Sequence, residues 1–295
     1  MLLHTEHLTK DYGKLRALDD FNLTVGAGEI FGLLGPNGSG KSTAIRLMLG
    51  FLRPTSGSAT IAGHDCWRDS VAARRHVTYL PGELRLYENM TGRQLLRFLS
   101  HLRVQHSSND TDALARRLDI DLDRPIVHLS SGMKRKLALL QVLVPQAPLL
   151  ILDEPTNTLD PTMRDELLAQ LRRARDRGQA VMFSSHVLSE VEQVCDRVGI
   201  LQRGRLVHLQ TMTELRQLSL VQARFVGGAA AASLDGLPEL PGLRLRERDR
   251  ERLTLEYGGD LPPLLDWLAR QPLADLRIEP VGLGAIYHRY HGVQP

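Results

Sequence analysis

The sequence predicts an α/β fold around a parallel sheet, with a helical insertion and a small α+β domain at the C-terminal end. Three observations carry that expectation. A glycine-rich stretch, GPNGSGKST at 35–43, stands between an apolar run at 30–34 and a helical pattern at 44–49. A second apolar run, 149–152, is uniform rather than alternating, as in a central strand covered on both faces. Beyond residue 220 the pattern changes to short alternating segments with an amphipathic helix among them.

At 295 residues the chain can hold one large domain and a smaller one, each with its own core. The net charge of +3 is too small by itself to point to a nucleic-acid partner, although the pI near 9.0 leaves the question open; none is expected. Two cysteines, Cys66 and Cys195, lie far apart and outside any C-x-x-C. A reduced, cytosolic chain is expected, with neither a disulfide framework nor a metal knuckle. The N-terminal stretch MLLHTEHLTKDYG lacks the layout of a signal segment. No apolar run reaches the about 20 residues needed to cross a bilayer, so another chain must supply any membrane passage.

Gly35, Gly40, Lys41 and Ser42 satisfy G-x-x-x-x-G-K-[ST], and strand, turn and helix flank it in the required order. Glycines let backbone N–H groups converge on phosphate oxygens, and the helix N-terminus adds partial positive charge. Lys41 can reach the β- and γ-phosphates and the Ser42 hydroxyl can hold Mg²⁺. A phosphate cradle alone does not separate a kinase, a GTPase or a motor.

The N-terminal part reads as strands at 2–3, 18–25 and 30–34, broken by Gly13, Gly26 and Gly28. Tyr12, in KDYG, either stacks on an adenine ring or packs at the end of an edge strand. Strands are expected at 57–63 and 76–80. Helical spacing follows over 89–145, marked by Leu95, Leu96, Leu99, Leu102, Leu114 and Leu118 and broken at 107–110 and 121–125. Ser130 stands at an N-cap before a helix at 132–144. The run 149–152 ends in Asp153 and Glu154. Two acids at the carboxyl end of a central strand are costly to bury for packing, which favours a metal-and-water role. A further apolar strand, 180–183, ends at Ser184, Ser185 and His186.

The order GPNGSGKST, LSSGM, LLILDEP, TNTLD and SSH resembles the nucleotide-binding subunit of an ATP-binding-cassette (ABC) transporter over residues 2–210. LSSGM ahead of the acidic strand is decisive, because other P-loop classes lack it. The resemblance implies a P-loop NTPase cassette, ATP as substrate and Mg²⁺ as cofactor. It places ATP on Gly35, Pro36, Asn37, Gly38, Ser39, Gly40, Lys41, Ser42 and Thr43, with Tyr12 on the adenine and Asp160 of TNTLD among the nucleotide-binding residues. Ser42 and, through water, Asp153 hold Mg²⁺; Glu154 polarises the attacking water and His186 contacts the γ-phosphate. Ser130 and Gly132 serve the ATP of a second copy or homologous subunit in an ATP-sandwich dimer. The implied partners are membrane-spanning transporter subunits, which would hold the chain on the inner face of the cell membrane. Two positions depart from the family pattern: Ser131 replaces a glycine, and Gly82 in YLPGEL replaces a glutamine in the loop that reports nucleotide state to the membrane subunit.

Residues 211–219 read as a linker and 220–295 as a small α+β, ferredoxin-like domain similar to the C-terminal extension of many ABC exporter ATPases. A hairpin carries Leu243, Leu245, Leu253, Leu255 and Tyr257 beside a charged tip at 247–251, after an Ala-rich break at 227–233. Asp260, Pro262 and Pro263 start a helix with Leu264, Leu265 and Leu268; a strand at 276–278 and a short helix ending in IYHRYHG follow. The mixed signs at 244–252 suggest a solvated surface. The expected function is ATP hydrolysis that powers export. The rival is a soluble ABC ATPase acting on ribosomes or DNA, which usually carries two cassettes or a long coiled coil; neither is present.

Overall fold

The computed structural model describes residues 1–102, 111–226, 240–249 and 252–291. The sequence breaks at 107–110 and 227–233, and part of the charged hairpin tip, lie outside them. The chain divides into two compact units, Met1–Leu209 and Gln210–Pro295.

Two sheets build the first unit. The outer one has the order β2-β1-β4-β5, from β1 (Leu3–Tyr12), β2 (Leu15–Val25), β4 (Ser56–Ile61) and the two-residue β5 (His64–Asp65). Since β1 lies between β2 and β4, Tyr12 ends an interior strand, so the edge-strand alternative does not hold. The central sheet runs β10-β9-β3-β8-β7-β6. Its members are β3 (Ile30–Leu34), β6 (Val77–Leu80), β7 (Leu149–Asp153), β8 (Ala180–Ser185), β9 (Arg197–Gln202) and β10 (Arg205–Thr211). Strands β6, β7, β8, β3 and β9 pair in parallel. Every residue of β3, β7 and β8 is buried, which is why those runs are uniformly apolar up to their polar ends.

Helix α1 (Lys41–Met48) lies in the core between the sheets, where Ile45 and Met48 join Leu3, Phe21, Phe31, Ile151 and Met182. Short α2 (Ser70–Arg75) precedes β6. The stretch expected to be helical holds α3 (Gly92–His101), α4 (Thr111–Arg117), a 3₁₀ turn (Ile126–His128) and α5 (Ser131–Leu143). Thr91 and Gln94 close a capping box on α3, and Ser130 caps α5 by accepting from the Met133 N–H. Of the leucines that mark the helical spacing, Leu95 and Leu118 are buried, while Leu102 is 68% exposed. On the opposite face of the sheet, α6 (Pro161–Asp176) buries Leu167, Leu168 and Leu171, and α7 (Leu188–Val194) buries Val191 and Val194. Cys66 and Cys195 are free and buried. No helix among the described residues is long and apolar enough to cross a membrane.

The second unit has its own sheet, β12-β13-β11-β14, all antiparallel. The strands are β11 (Ser219–Phe225), β12 (Leu243–Arg248), β13 (Arg252–Tyr257) and β14 (Leu273–Pro280). Helix α9 (Leu261–Ala269) joins β13 to β14 and packs Leu264 and Leu268 on Val221, Phe225, Leu253 and Leu255. Helix α10 (Gly282–His291) closes the described chain. Two expectations are corrected. The stretch read as a linker contains α8 (Met212–Gln217), fixed by a Thr211–Glu214 capping box with Met212 and Leu215 buried. Leu245 is 49% exposed, so the apolar face of the hairpin resides in β13.

Because each unit has a separate core, a chain ending at Thr211 is expected to fold cooperatively and to bind an ATP analogue as the full chain does. Thermal unfolding followed by nucleotide titration checks this. A folded truncation with lost affinity would show that the second unit contributes to the nucleotide site.

Candidate functional site

The carboxyl ends of β3, β8 and β7 are neighbours, and each carries functional side chains. Leu34 pairs in register with Ser185, and Asp153 with Ser184. The loop that follows β3, the acids that end β7 and the histidine that follows β8 therefore meet at one edge of the sheet.

The loop itself leaves no room for larger residues at two points. A Cβ on Gly35 would stand 2.4 Å from Ser39 Oγ and 2.5 Å from the Leu201 carbonyl oxygen. Gly40 has φ +111°, and a Cβ there would stand 2.6 Å from the Ala17 carbonyl oxygen. Pro36, Asn37 and Gly38 are exposed at the tip, while Ser39 is buried with its hydroxyl unpartnered. Helix α1 starts at Gly40 without a side-chain cap, so its first N–H groups remain for a ligand. Lys41 curls into the loop and donates to the carbonyl oxygens of Gly35 at 2.6 Å and Pro36 at 3.1 Å. Burial lowers its pKa, and the nearby carboxylates of Glu154 and Asp153 oppose that shift.

Asp153 is buried and accepts from Ser42 Oγ at 3.2 Å and from Ser184 Oγ at 2.6 Å. A hydroxyl and a carboxylate side by side are hard oxygen donors, the set that suits Mg²⁺. Thr43, next to Ser42, is half-buried. Glu154 stands among three groups. Its Oε1 is 3.9 Å from Lys41 Nζ and 3.6 Å from His186 Nδ1, and its Oε2 accepts from Asn157 Nδ2 at 2.7 Å. The His186 side chain is 52% exposed, so it faces the opening beside the loop. The Glu154 backbone adopts φ +47°, an unfavourable region for a residue with a side chain.

Elsewhere, the candidate residues are exposed or hold structure. Tyr12 is 44% exposed, with the Lys10 ammonium 5.2 Å from its ring centre. Ser130 and Ser131 are exposed at the start of α5, and Gly132 is half-buried. The Asp160 carboxylate caps α6, accepting from the Met163 N–H at 2.9 Å. A Cβ on Gly82 would lie 3.6 Å from Asp153 Oδ2, an ordinary contact, so that loop faces the Asp153 carboxylate.

The family model for ABC transporters matches residues 18–157. The linearmycin resistance ATP-binding protein LnrL of Bacillus subtilis (strain 168) is 32% identical over 220 residues, covering 72% of this chain and 70% of LnrL. The chain belongs to the ATP-binding subunits of ABC transporters. The probable multidrug ABC transporter ATP-binding protein YbhF of Escherichia coli (strain K12) is 38% identical over 223 residues. That match covers 74% of this chain and 38% of YbhF, so the chain spans well under half of that longer relative. A solved structure of an ATP-binding subunit of an ABC transporter superposes with a TM-score of 0.69 at 30% identity, covering 74% of this chain and 92% of that one. The first unit is thus an ABC ATPase domain with the α/β P-loop cassette fold.

Sequence reasoning missed two side chains that hold this cassette site together. Arg135, on α5, is 2% exposed and faces only carbonyl oxygens. Its Nη1 donates to Pro81 at 2.9 Å and Gly82 at 3.1 Å, its Nε to Pro155 at 3.2 Å, and its Nη2 to Asp153 at 3.1 Å and to Glu154. It therefore braces the loop containing Gly82 and the strained turn of Glu154 from one helix. The signal was present: Arg135 shares a helical face with buried Leu139 and Val142, at i+4 and i+7. Glu190, on α7, is buried and accepts from Thr156 Oγ1 at 2.9 Å and Ser185 Oγ at 3.1 Å. Its other oxygen lies 3.1 Å from Arg164 Nε, an ion pair whose geometry is off-line for a hydrogen bond. It tethers the residue before Asn157 to the residue before His186.

Arg135→Met is expected to destabilise the cassette by about 3 kcal/mol, because several buried carbonyl groups lose a charged donor together. Urea denaturation of the full chain measures this. A loss below about 0.5 kcal/mol, typical of an unimportant surface change, would mean that the carbonyls find other donors.

Proposed function

We propose that the chain binds and hydrolyses ATP as one of a pair of cassettes that drive export through separate membrane-spanning subunits. The observation that carries this reading is the placement of Glu154. Its carboxylate lies between the phosphate-loop lysine, His186 and Asn157, one residue from the Asp153–Ser42 pair. A regulatory binder without turnover has no use for a carboxylate held there.

The loop at 35–43 and the uncapped start of α1 receive the phosphates, and Lys41 exchanges its two carbonyl acceptors for β- and γ-phosphate oxygens. Ser42 and Asp153 would hold Mg²⁺, which when bound neutralises charge on those oxygens. Glu154 orients a water in line with the γ-phosphorus and accepts its proton as the oxygen attacks and ADP departs. His186 steadies the γ-phosphate from the opening, and Tyr12 covers the adenine. Asp160 acts through the cap of α6, which holds the end of the turn carrying Asn157. Such chemistry rests on positioning and charge, and the chain supplies both.

The exposed start of α5, with Ser130 and Gly132, supports a second cassette as the group that completes each site. Export is supported by relatives named for multidrug transport and for linearmycin resistance. Tyr87, 55% exposed, stacks edge-on with Phe98, 41% exposed, at 5.9 Å, on the stretch that follows Gly82. Glu88 next to it is tied to Lys134 of α5 at 2.6 Å. An exposed aromatic pair linked to the signature helix suits a membrane subunit docked there, which would place the chain on the inner face of the cell membrane. In the second unit, β13 and β14 run parallel on either side of β11 with α9 between them in sequence. That split βαβ supports the ferredoxin-like reading and a role in choosing or tuning partners.

Glu154→Gln is expected to lower turnover at least about 100-fold, the usual contribution of a positioned base, while ATP binding persists and an ATP-bound dimer accumulates. Phosphate release and size-exclusion chromatography with ATP read both effects; undiminished hydrolysis would overturn the assignment. Gly82→Gln tests the altered loop. Gly82 has ordinary φ and space for a Cβ, so the variant is expected to fold normally and to lower the Mg²⁺ concentration for half-maximal ATPase. Superimposable magnesium titrations would show that no side chain is needed there.

A further inference from the structure

The sheet of the second unit has one apolar face and one polar face, and the polar face is charged unevenly. At one end Glu256, 6% exposed, meets Arg246 and, at 3.3 Å, Arg289 of α10. A carboxylate satisfies the cations there. At the other end three arginines stand on adjacent strands: Arg252 on β13, Arg224 on β11 and Arg277 on β14. Arg224 is the direct cross-strand partner of Arg252 on one side, which puts their Cβ atoms about 5 Å apart on one face, and of Asp275 on the other. Like charges so placed repel each other. Arg277 pairs with Gln222, one position along the same face. Among the described residues none of the three has an ion-pair partner. They line a cavity of about 320 Å³ together with Gln222, Thr254 and three carboxylates, Glu247, Asp249 and Asp275, none of them within ion-pair distance of the three arginines. The opposite face of the same strands is packed against α9, so the floor is rigid.

We propose that this cavity binds a small oxyanion-bearing ligand, a phosphate ester or a polycarboxylate, through Arg224, Arg252 and Arg277. An oxyanion between the opposed guanidinium groups replaces their repulsion with charge-assisted hydrogen bonds, which are the stronger class. Gln222 and Thr254 add neutral hydrogen bonds. Glu247, Asp249 and Asp275 favour ligands that carry a hydroxyl or amino group beside the anion and disfavour long polyanions. The site lies wholly within the second unit and does not depend on whether the cassette turns over ATP.

Calorimetric titration of the full chain, saturated with ADP and held at constant ionic strength, tests this with inorganic phosphate and with citrate as probes. One site per chain is expected for at least one probe. Arg224→Gln and Arg252→Gln should each weaken it at least about tenfold, the loss of one charged hydrogen bond. Arg244→Gln, which removes the same charge from an exposed position on β12, should leave it unchanged. Preference for phosphate assigns a phosphate ester, and preference for citrate a polycarboxylate. In ligand-free buffer, Arg252→Gln should leave the unfolding temperature unchanged or raise it, since it removes a repulsive pair. The proposal is overturned if neither probe binds, if binding survives both Arg224→Gln and Arg252→Gln, or if Arg244→Gln weakens it equally. A fall in unfolding temperature for ligand-free Arg252→Gln would also overturn it, by making the arginine a structural group.

Discussion

A buried cation without an anion fixes the geometry of the nucleotide site. The Arg135 guanidinium would be costly to bury alone, and its donors end on main-chain oxygens. Those oxygens belong to two segments that are distant in sequence, the loop at 81–82 and the end of β7 with the turn after it, 153–155. Backbone carbonyls move less than carboxylate side chains, so the arginine acts as a rigid bracket. It also compensates the positive φ of Glu154 by binding that residue's carbonyl group. The carboxylate that faces the phosphate loop is aimed by a charge on a different helix.

The sheet supplies the rest. Parallel strands all end on the same edge, so three runs from distant parts of the sequence deliver their terminal polar residues to one place. Ser184 shows how tightly they interlock: its hydroxyl accepts from the Glu154 N–H and donates to the Asp153 carboxylate. Glu190 repeats the pattern one layer back, joining Thr156 to Ser185. The apolar lengths of β3, β7 and β8 fix how far each strand projects, and these hydroxyl links fix the side chains at their ends.

Much of this was legible in the sequence, for physical reasons. The phosphate loop declares itself because only glycine fits at positions 35 and 40, and the buried strands because both faces demand apolar residues. Arg135 was hidden because a basic residue beside Lys134 and Lys136 looks like part of a solvated run; only its spacing to Leu139 and Val142 places it inside. Asp160 presents the reverse case, where a carboxylate named for the nucleotide holds a helix end. The linker reading failed at α8 because Thr211 and Glu214 specify a capping box over too few residues for an apolar period to show. The cross-strand opposition of Arg224 and Arg252 depends on register, which alternation alone does not fix.

Lys41 has hydrogen-bond acceptors within its own loop. Its ammonium donates to the Gly35 and Pro36 carbonyl oxygens. Nucleotide entry is then an exchange of one set of hydrogen bonds for another, and the net gain is smaller than the number of phosphate contacts would suggest. The same exchange in reverse lets ADP leave without stranding a buried charge. A lysine with acceptors of its own is held less tightly by the product, and repeated turnover depends on letting go.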